Sequence, residues 1–226
     1  MRASLLRGDI RFQFKFGFYF VYLVFSVLYL SLLSVFPPAW RGKAAVLMIF
    51  SDPAAMGLYF MGAILLFEKS QRVIDSIAVS PVRPMEYALS KLVSLALIST
   101  AVGFLIGIAG GVAASPLPFF AGVFLGSCLF SAVGLIIALH IGTLNQFIVA
   151  TIPAEILINL PAVAYLFGYR KPFLILHPGV CIIELCENGD MAVPASLILF
   201  VWTAALALLS GRSAGKSFRS LGGIKL

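Results

Sequence analysis

The chain has 226 residues, of which 61% are hydrophobic and 11% charged, against about 25% charged in a typical soluble domain. With a mean hydropathy of +1.06 it cannot cover an aqueous surface, which excludes a soluble enzyme, a disordered protein and a nucleic-acid-binding module. The net charge of +7 sits in short segments between long apolar runs, the arrangement that orients membrane helices.

A spanning helix takes about 20 apolar residues, so this length allows about six. The predicted spans are 16–36, 44–67, 87–111, 119–141, 147–167 and 193–210, which makes the chain an all-α integral membrane protein of one domain, 1–226. Ahead of the first span, Leu6, Ile10 and Phe14 fall on one helical face and Arg7, Arg11 and Lys15 on the next. That is the pattern of a helix lying in the membrane interface, or of an ordinary basic flank. Phe12, Phe14, Phe16, Phe18 and Phe20 alternate with the period of a strand. A membrane strand needs a closed barrel with that alternation in every segment, whereas the later runs are apolar all round, so the expectation stays helix.

Ser51-Asp52-Pro53 interrupts the second span. Asp52 there suits a helix N-cap followed by Pro in the first turn; the alternative is an ion, proton or substrate-path role. In the third span Gly103, Gly107 and Gly111 recur every four residues, as do Gly122 and Gly126 in the fourth. Small residues at that spacing let backbones approach, and the Pro-containing turn at 115–118 joins the two spans into a tight hairpin. In the fifth span Thr151, Glu155 and Asn159 share one face, with Pro153 and Pro161 bending the helix. A carboxylate at membrane depth faces protein or a water-filled cavity, so the stripe is a substrate path, a subunit interface or an interhelical hydrogen-bond clasp.

The segment 168–192 is longer than a turn requires. Its apolar pieces 173–176 and 180–185 are too short to span and read as re-entrant or interfacial helices. Cys181 and Cys186 lie on different faces of such a helix, which disfavours a bridge between them, and three cysteines make no disulfide scaffold or zinc site. His140 and His177 fall on opposite sides of the membrane, and no nucleophile–base pair occurs, so no metal site and no catalytic residue are expected. Gly211-Arg-Ser-Ala-Gly-Lys-Ser resembles a phosphate-binding loop but is one residue short and lacks the preceding strand; it reads as a basic tail. With the N-terminus inside, 12 of the 16 basic residues fall in the cytoplasmic segments, which places both termini in the cytoplasm.

The segment after the second span carries a motif. Val73, Ile74, Ile77 and Ala78 make one face of a short helix; Lys69, Arg72, Asp75 and Ser76 make the other. Glu68 precedes it, and Ser80-Pro81, Glu86-Tyr87 and Lys91 follow. In order and spacing this resembles the membrane subunits of ABC-2 type exporters, in which a Glu ends the second span and a coupling helix, a Ser/Thr-Pro, a Glu-Tyr and a Lys follow. The layout of the whole chain is similar to that family too, and its size and the block from Asp52 to Lys91 most resemble small bacterial drug-export permeases. One departure is Arg72, where the family often has Gly.

The resemblance implies a permease half, paired with an identical or homologous second half in a bacterial cytoplasmic membrane. Two separate ATPase subunits would bind the ATP and magnesium, and the substrate would be amphipathic: a drug, a lipid or a peptide-like molecule. The coupling helix would be 69–79, docked in an ATPase groove. Its anchors would be Val73, Ile74 and Ile77, unless these face the ends of the membrane helices. Lys69, Arg72 and Asp75 would lie at the rim, Ser80-Pro81 would close the helix, and Glu68 would cap it or pair with Arg72. The rivals are a secondary transporter using Glu155 and an intramembrane enzyme.

Overall fold

The computed structural model describes residues 3–51 and 56–221. Among these residues the chain is helical and contains no strand. The strand-like phenylalanine pattern resolves into two helices. Helix α1 (Ala3–Lys15) ends at Gly17, whose φ of 79° is open to glycine, and α2 (Phe18–Val35) starts there.

The interrupted second run folds as two pieces, α3 (Pro38–Ser51) and α4 (Leu58–Ser70). Asp52 and Pro53 lie between them, outside the described residues. A Cβ on Gly110, at the end of α6 (Pro84–Gly110), would strike Ala45 of α3, whereas Glu68 near the end of α4 reaches Lys91 near the start of α6. Together α3 and α4 therefore run the length of α6 in the opposite direction. A six-residue helix α5 (Val73–Ala78) and the turn at Ser80 connect α4 to α6. The predicted coupling helix of 69–79 is thus shorter, because Lys69 and Ser70 still belong to α4.

Helix α6 begins where Pro84 stands at the first helical position, with Glu86 Oε2 accepting the Arg83 amide. It ends at Gly111 in the left-handed conformation, φ 72°. After the turn, α7 (Pro116–His140) returns beside it. As predicted, the two pack through glycine: a Cβ on Gly103 would strike Val123, and one on Gly107 would strike Phe119. Gly122 and Gly126 do something else. They face Leu185 and Ile182 of α9 (Pro178–Glu187) and let that helix, not α6, approach α7.

Helix α8 (Leu144–Leu166) starts at Thr143, whose Oγ1 accepts the Gln146 amide. A 3-10 turn at Pro172–Leu176 precedes α9, whose residues from Pro178 to Cys186 are all buried. Glu184 closes the turn that follows, accepting from the Tyr165 hydroxyl at 2.7 Å and the Met191 amide at 3.0 Å. Helix α10 (Ala192–Leu221) continues past the predicted end at 210. Its buried edge, Ala195, Leu199, Thr203, Ala207, Ser210, Ala214 and Phe218, recurs every three or four residues along the whole length. The segment that resembled a phosphate loop is helical, with Gly211 against Met85. All three cysteines are free.

Among the described residues, five helices are long and apolar enough to cross a bilayer: α2, α6, α7, α8 and α10. The most apolar stretches of α6 and α7 are 61% and 72% buried, against 17–22% for the other three. The α6–α7 hairpin is the core, and α2, α8 and α10 surround it with apolar faces outward, as a multi-pass membrane protein requires.

Candidate functional site

At the end of the bundle that carries α1, α5 and the last turns of α10, a charged cluster is buried. Lys91 of α6 donates to Glu68 Oε1 of α4 at 2.6 Å and to Asp9 Oδ1 of α1 at 3.1 Å. Glu68 Oε2 accepts the Tyr87 hydroxyl at 2.7 Å, and Asp9 Oδ2 accepts the Ser90 hydroxyl at 2.5 Å. The Lys91 ammonium also lies 4.9 Å from the centroid of the Tyr87 ring. One turn along, Gln13 Nε2 donates to Ser94 Oγ at 2.7 Å, and Tyr22 pairs with Ser99 at 2.9 Å. The spacing of these residues explains the geometry. Asp9 and Gln13 are four apart on α1; Tyr87, Lys91 and Ser94 recur at four and three on α6.

Side-chain exposure is 3% for Lys91, 6% for Glu68 and 17% for Asp9. Two carboxylates share one ammonium in a largely dry site, which is tolerable only because every partner is hydrogen-bonded. Glu68 therefore turns inward to Lys91, rather than capping α5 or pairing with Arg72. The structure brings Glu68, Tyr87 and Lys91 of the sequence motif together. It adds Asp9, the one acidic residue among Arg2, Arg7, Arg11 and Lys15; an isolated acid in a basic stretch was the available signal.

The other predicted elbow residues separate into inner and outer groups. Lys69 does not sit at a rim: its ammonium donates to the carbonyls of Ala138, Leu139 and Ile141 at 2.7, 2.8 and 2.9 Å. These are carbonyls at the end of α7, of which Ala138 also accepts the Ile141 amide, so Lys69 caps that helix. Ile74 is 1% exposed and belongs to the core. It is not an anchor offered to a partner; Ile77 and Ala78 are partly buried against the same core, and Val73 is half-buried. The exposed face of α5 is Arg72, Asp75 and Ser76, followed by Val79 at 81% exposure. Val79 is the large apolar residue at this elbow that sequence periodicity did not single out. Ser80 Oγ donates to the Ile77 carbonyl at 2.7 Å and closes α5, with Pro81 exposed beyond it. Arg72, where the resembled family often has Gly, has φ 56° and ψ 24°, the left-handed backbone that glycine adopts freely.

The stripe on α8 meets α4. Tyr59 of α4 lies beside the side chains of Thr151 and Glu155. Thr151 Oγ1 donates to the Ile148 carbonyl at 2.8 Å, and Asn159 Oδ1 is buried without a hydrogen-bond partner. Gly62 makes the α4–α8 approach possible, because a Cβ there would strike the Phe147 ring. Pro161 cannot donate to the Leu157 carbonyl; His177 Nε2 lies 3.2 Å from that oxygen instead. His177 is the N-cap of α9, and burial holds its imidazole below the ordinary value, against the raising effect of the Leu157 carbonyl. Among the described residues no group of His, Cys, Asp and Glu is placed to hold a metal ion.

Residues 1–209 match the family described as the Fluoroquinolones export permease protein family. Two proteins from two strains of Mycobacterium tuberculosis, each named a fluoroquinolones export permease protein, are 31% identical to this chain over 175 residues. The match covers 76% of this chain and 74% of theirs.

Proposed function

Since the chain belongs to the Fluoroquinolones export permease protein family, we propose that it is the permease half of an ATP-driven exporter of the ABC-2 type. In this reading 1–226 is one transmembrane domain. The α3–α4 pair supplies the sixth crossing, and both termini face the cytoplasm of a bacterial inner membrane. A second permease half, identical or homologous, completes the path. Two ATPase subunits bind ATP and magnesium, and this chain carries no catalytic role. The substrate is an amphipathic aromatic compound of the kind the relatives' names indicate. The Thr151, Glu155 and Asn159 face, with Asp52, lies along its path.

The observation that carries the reading is the elbow. A rigid, ion-paired junction ties α1, α4 and α6 together, and a six-residue helix hangs from it with a charged and apolar face outward. A short exposed helix fits a groove on a partner. Arg72, Asp75, Ser76 and Val79 present that face, while Glu68, Lys69 and Ile74 hold it in place from within. Val73, Ile77, Ser80 and Pro81 shape its ends. The Asp75→Arg, Val79→Asp double variant should insert and purify like the parent yet fail to co-purify with the ATPase or stimulate its hydrolysis. Full ATPase binding by that variant would move the coupling contact elsewhere. Ile74→Asp, by contrast, should lower yield of the permease itself.

A further inference from the structure

Glu155 is the middle residue of the 23-residue α8, so about 16 Å of helix separates it from either end. Among the described residues no basic side chain forms an ion pair with it; its polar neighbour is Tyr59 of α4. This contrasts with the elbow, where each buried carboxylate has an ammonium at 3.1 Å or less. A carboxylate at such depth is costly, and in membrane helices it marks a ligand path or finds a partner.

The donors and acceptors around it do not balance. Thr151 spends its proton on the Ile148 carbonyl. The Tyr59 hydroxyl lies near both Thr151 and Glu155 and has one proton to give. One turn further, Asn159 Oδ1 is buried with no donor at all. The face thus carries a carboxylate without a counter-charge and an amide oxygen without a donor, four residues apart along one line. A single group that completes both brings at least two N–H or O–H donors and a positive charge. An ammonium brings three donors on one cationic centre. A bare proton would satisfy Glu155 but leave Asn159 unpaired. On either side of the stripe, Ile152 and Ile156 are 45% and 58% exposed, an apolar surface against which the hydrocarbon of the same ligand can lie.

We infer that Tyr59, Thr151, Glu155 and Asn159 form a recognition site for the protonated amine of an amphipathic organic cation. The inference rests on the export reading and deepens it: the substrates selected here are those with a basic nitrogen on an apolar body. Binding replaces the amine's lost hydration with a carboxylate and two further acceptors, and gives Glu155 the counter-charge the fold withholds.

The test uses the purified chain together with its ATPase in lipid nanodiscs. Two dansyl probes are compared: a dansylated hexanediamine with one free amine, and the same molecule N-acetylated and uncharged. Probe binding is read from dansyl fluorescence. The parent should bind the amine at least tenfold more tightly than the acetylated probe. Glu155→Gln should erase that preference by weakening the amine alone. Glu155→Asp, which keeps the charge, should retain the preference and control for folding; Asn159→Leu should reduce it a few-fold. Equal affinity of the parent for both probes, or a preference that survives Glu155→Gln, overturns the inference. So does the absence of binding while ATPase association and stimulated hydrolysis persist, because the stripe would then be covered by protein. Failure of the ATPase to associate would overturn the export reading instead, leaving the cation preference to be read separately from the fluorescence.

Discussion

Removing the single ammonium from the elbow is the most severe test of its architecture. In Lys91→Met the side chain keeps its length and its packing, but Glu68 loses a 2.6 Å partner and Asp9 a 3.1 Å partner. Two carboxylates then face each other across a site where neither is well hydrated. Leaving a buried charge without its partner costs about 3–5 kcal/mol. Asp9, with 17% of its side chain exposed, can turn toward water and recover part of that, so the lower part of the range applies. Glu68→Gln keeps the Tyr87 hydrogen bond and the side-chain shape, and it leaves Lys91 with Asp9; it should cost less. Asp9→Asn should cost least, about 1.5–3 kcal/mol for a weakened hydrogen bond to a charged group. The expected order of loss is therefore Lys91→Met, then Glu68→Gln, then Asp9→Asn. Heating the detergent-solubilised protein and following the monodisperse fraction by size exclusion gives that order without assuming reversible unfolding. A Lys91→Met protein that melts with the parent would show that the cluster is not desolvated and that the ion pairs carry no weight.

Three further outcomes follow from single sites. Arg72→Gly should raise the melting midpoint, because a non-glycine residue in the left-handed region costs about 1 kcal/mol, while Arg72→Val should lower it; a fall with Gly would mean the Arg72 side chain outweighs its backbone. Lys69→Met takes the ammonium from the carbonyls of Ala138, Leu139 and Ile141, of which Ala138 keeps the Ile141 amide, and should cost about 1–3 kcal/mol, visible as faster hydrogen exchange at the end of α7. For orientation, Asp190→Cys should react with an impermeant maleimide in intact cells and Ser76→Cys only after permeabilisation, both positions being exposed and the native cysteines buried; the reverse pattern would invert the topology.

The helices were legible because composition and length suffice for them: runs of twenty apolar residues bounded by Pro, Gly and basic residues have one solution in lipid. The α6–α7 hairpin was legible from Gly103 and Gly107. What period alone does not carry is the identity of the neighbour. Gly122 and Gly126 show the same spacing, yet they accommodate α9, since a small residue permits an approach without naming the approaching helix. The elbow shows the same limit. Glu68, Tyr87 and Lys91 stood out as a spaced motif, but that Asp9 completes their cluster depends on α1 folding back against α6, some eighty residues away in sequence. For Ile74 the sequence leaves both orientations open for a related reason: a six-residue helix has too few turns for periodicity to say which apolar side chains face the bundle and which face outward. Lys69 seemed a rim charge because the carbonyls it caps belong to α7, and no local pattern announces a cap supplied from another helix.

Buried ion pairs are seldom retained for stability, since well-packed apolar residues in their place are often neutral or better. That distinction can be tested at the elbow. Replacing Asp9, Glu68 and Lys91 together by Leu, Gln and Met removes every formal charge, keeps an acceptor for the Tyr87 hydroxyl, and leaves no carboxylate unpaired. The Ser90 hydroxyl loses its partner and the amide nitrogen introduced at position 68 gains none, but these are neutral groups, cheaper to strand at about 1–3 kcal/mol each than a carboxylate. The triple variant should therefore melt closer to the parent than Lys91→Met alone, although it carries three changes. Yet the cluster joins α1, α4 and α6 by bonds of fixed direction, and apolar contacts that replace them can slide. If the elbow transmits motion from α5 to the membrane helices as one rigid piece, the stable triple variant should bind the ATPase normally while its stimulated hydrolysis and substrate export fall well below the parent's. Parent-like export from the triple variant would reduce the cluster to a means of fixing α1 in place, and would put the transmission of force in the backbone continuity of α4, α5 and α6.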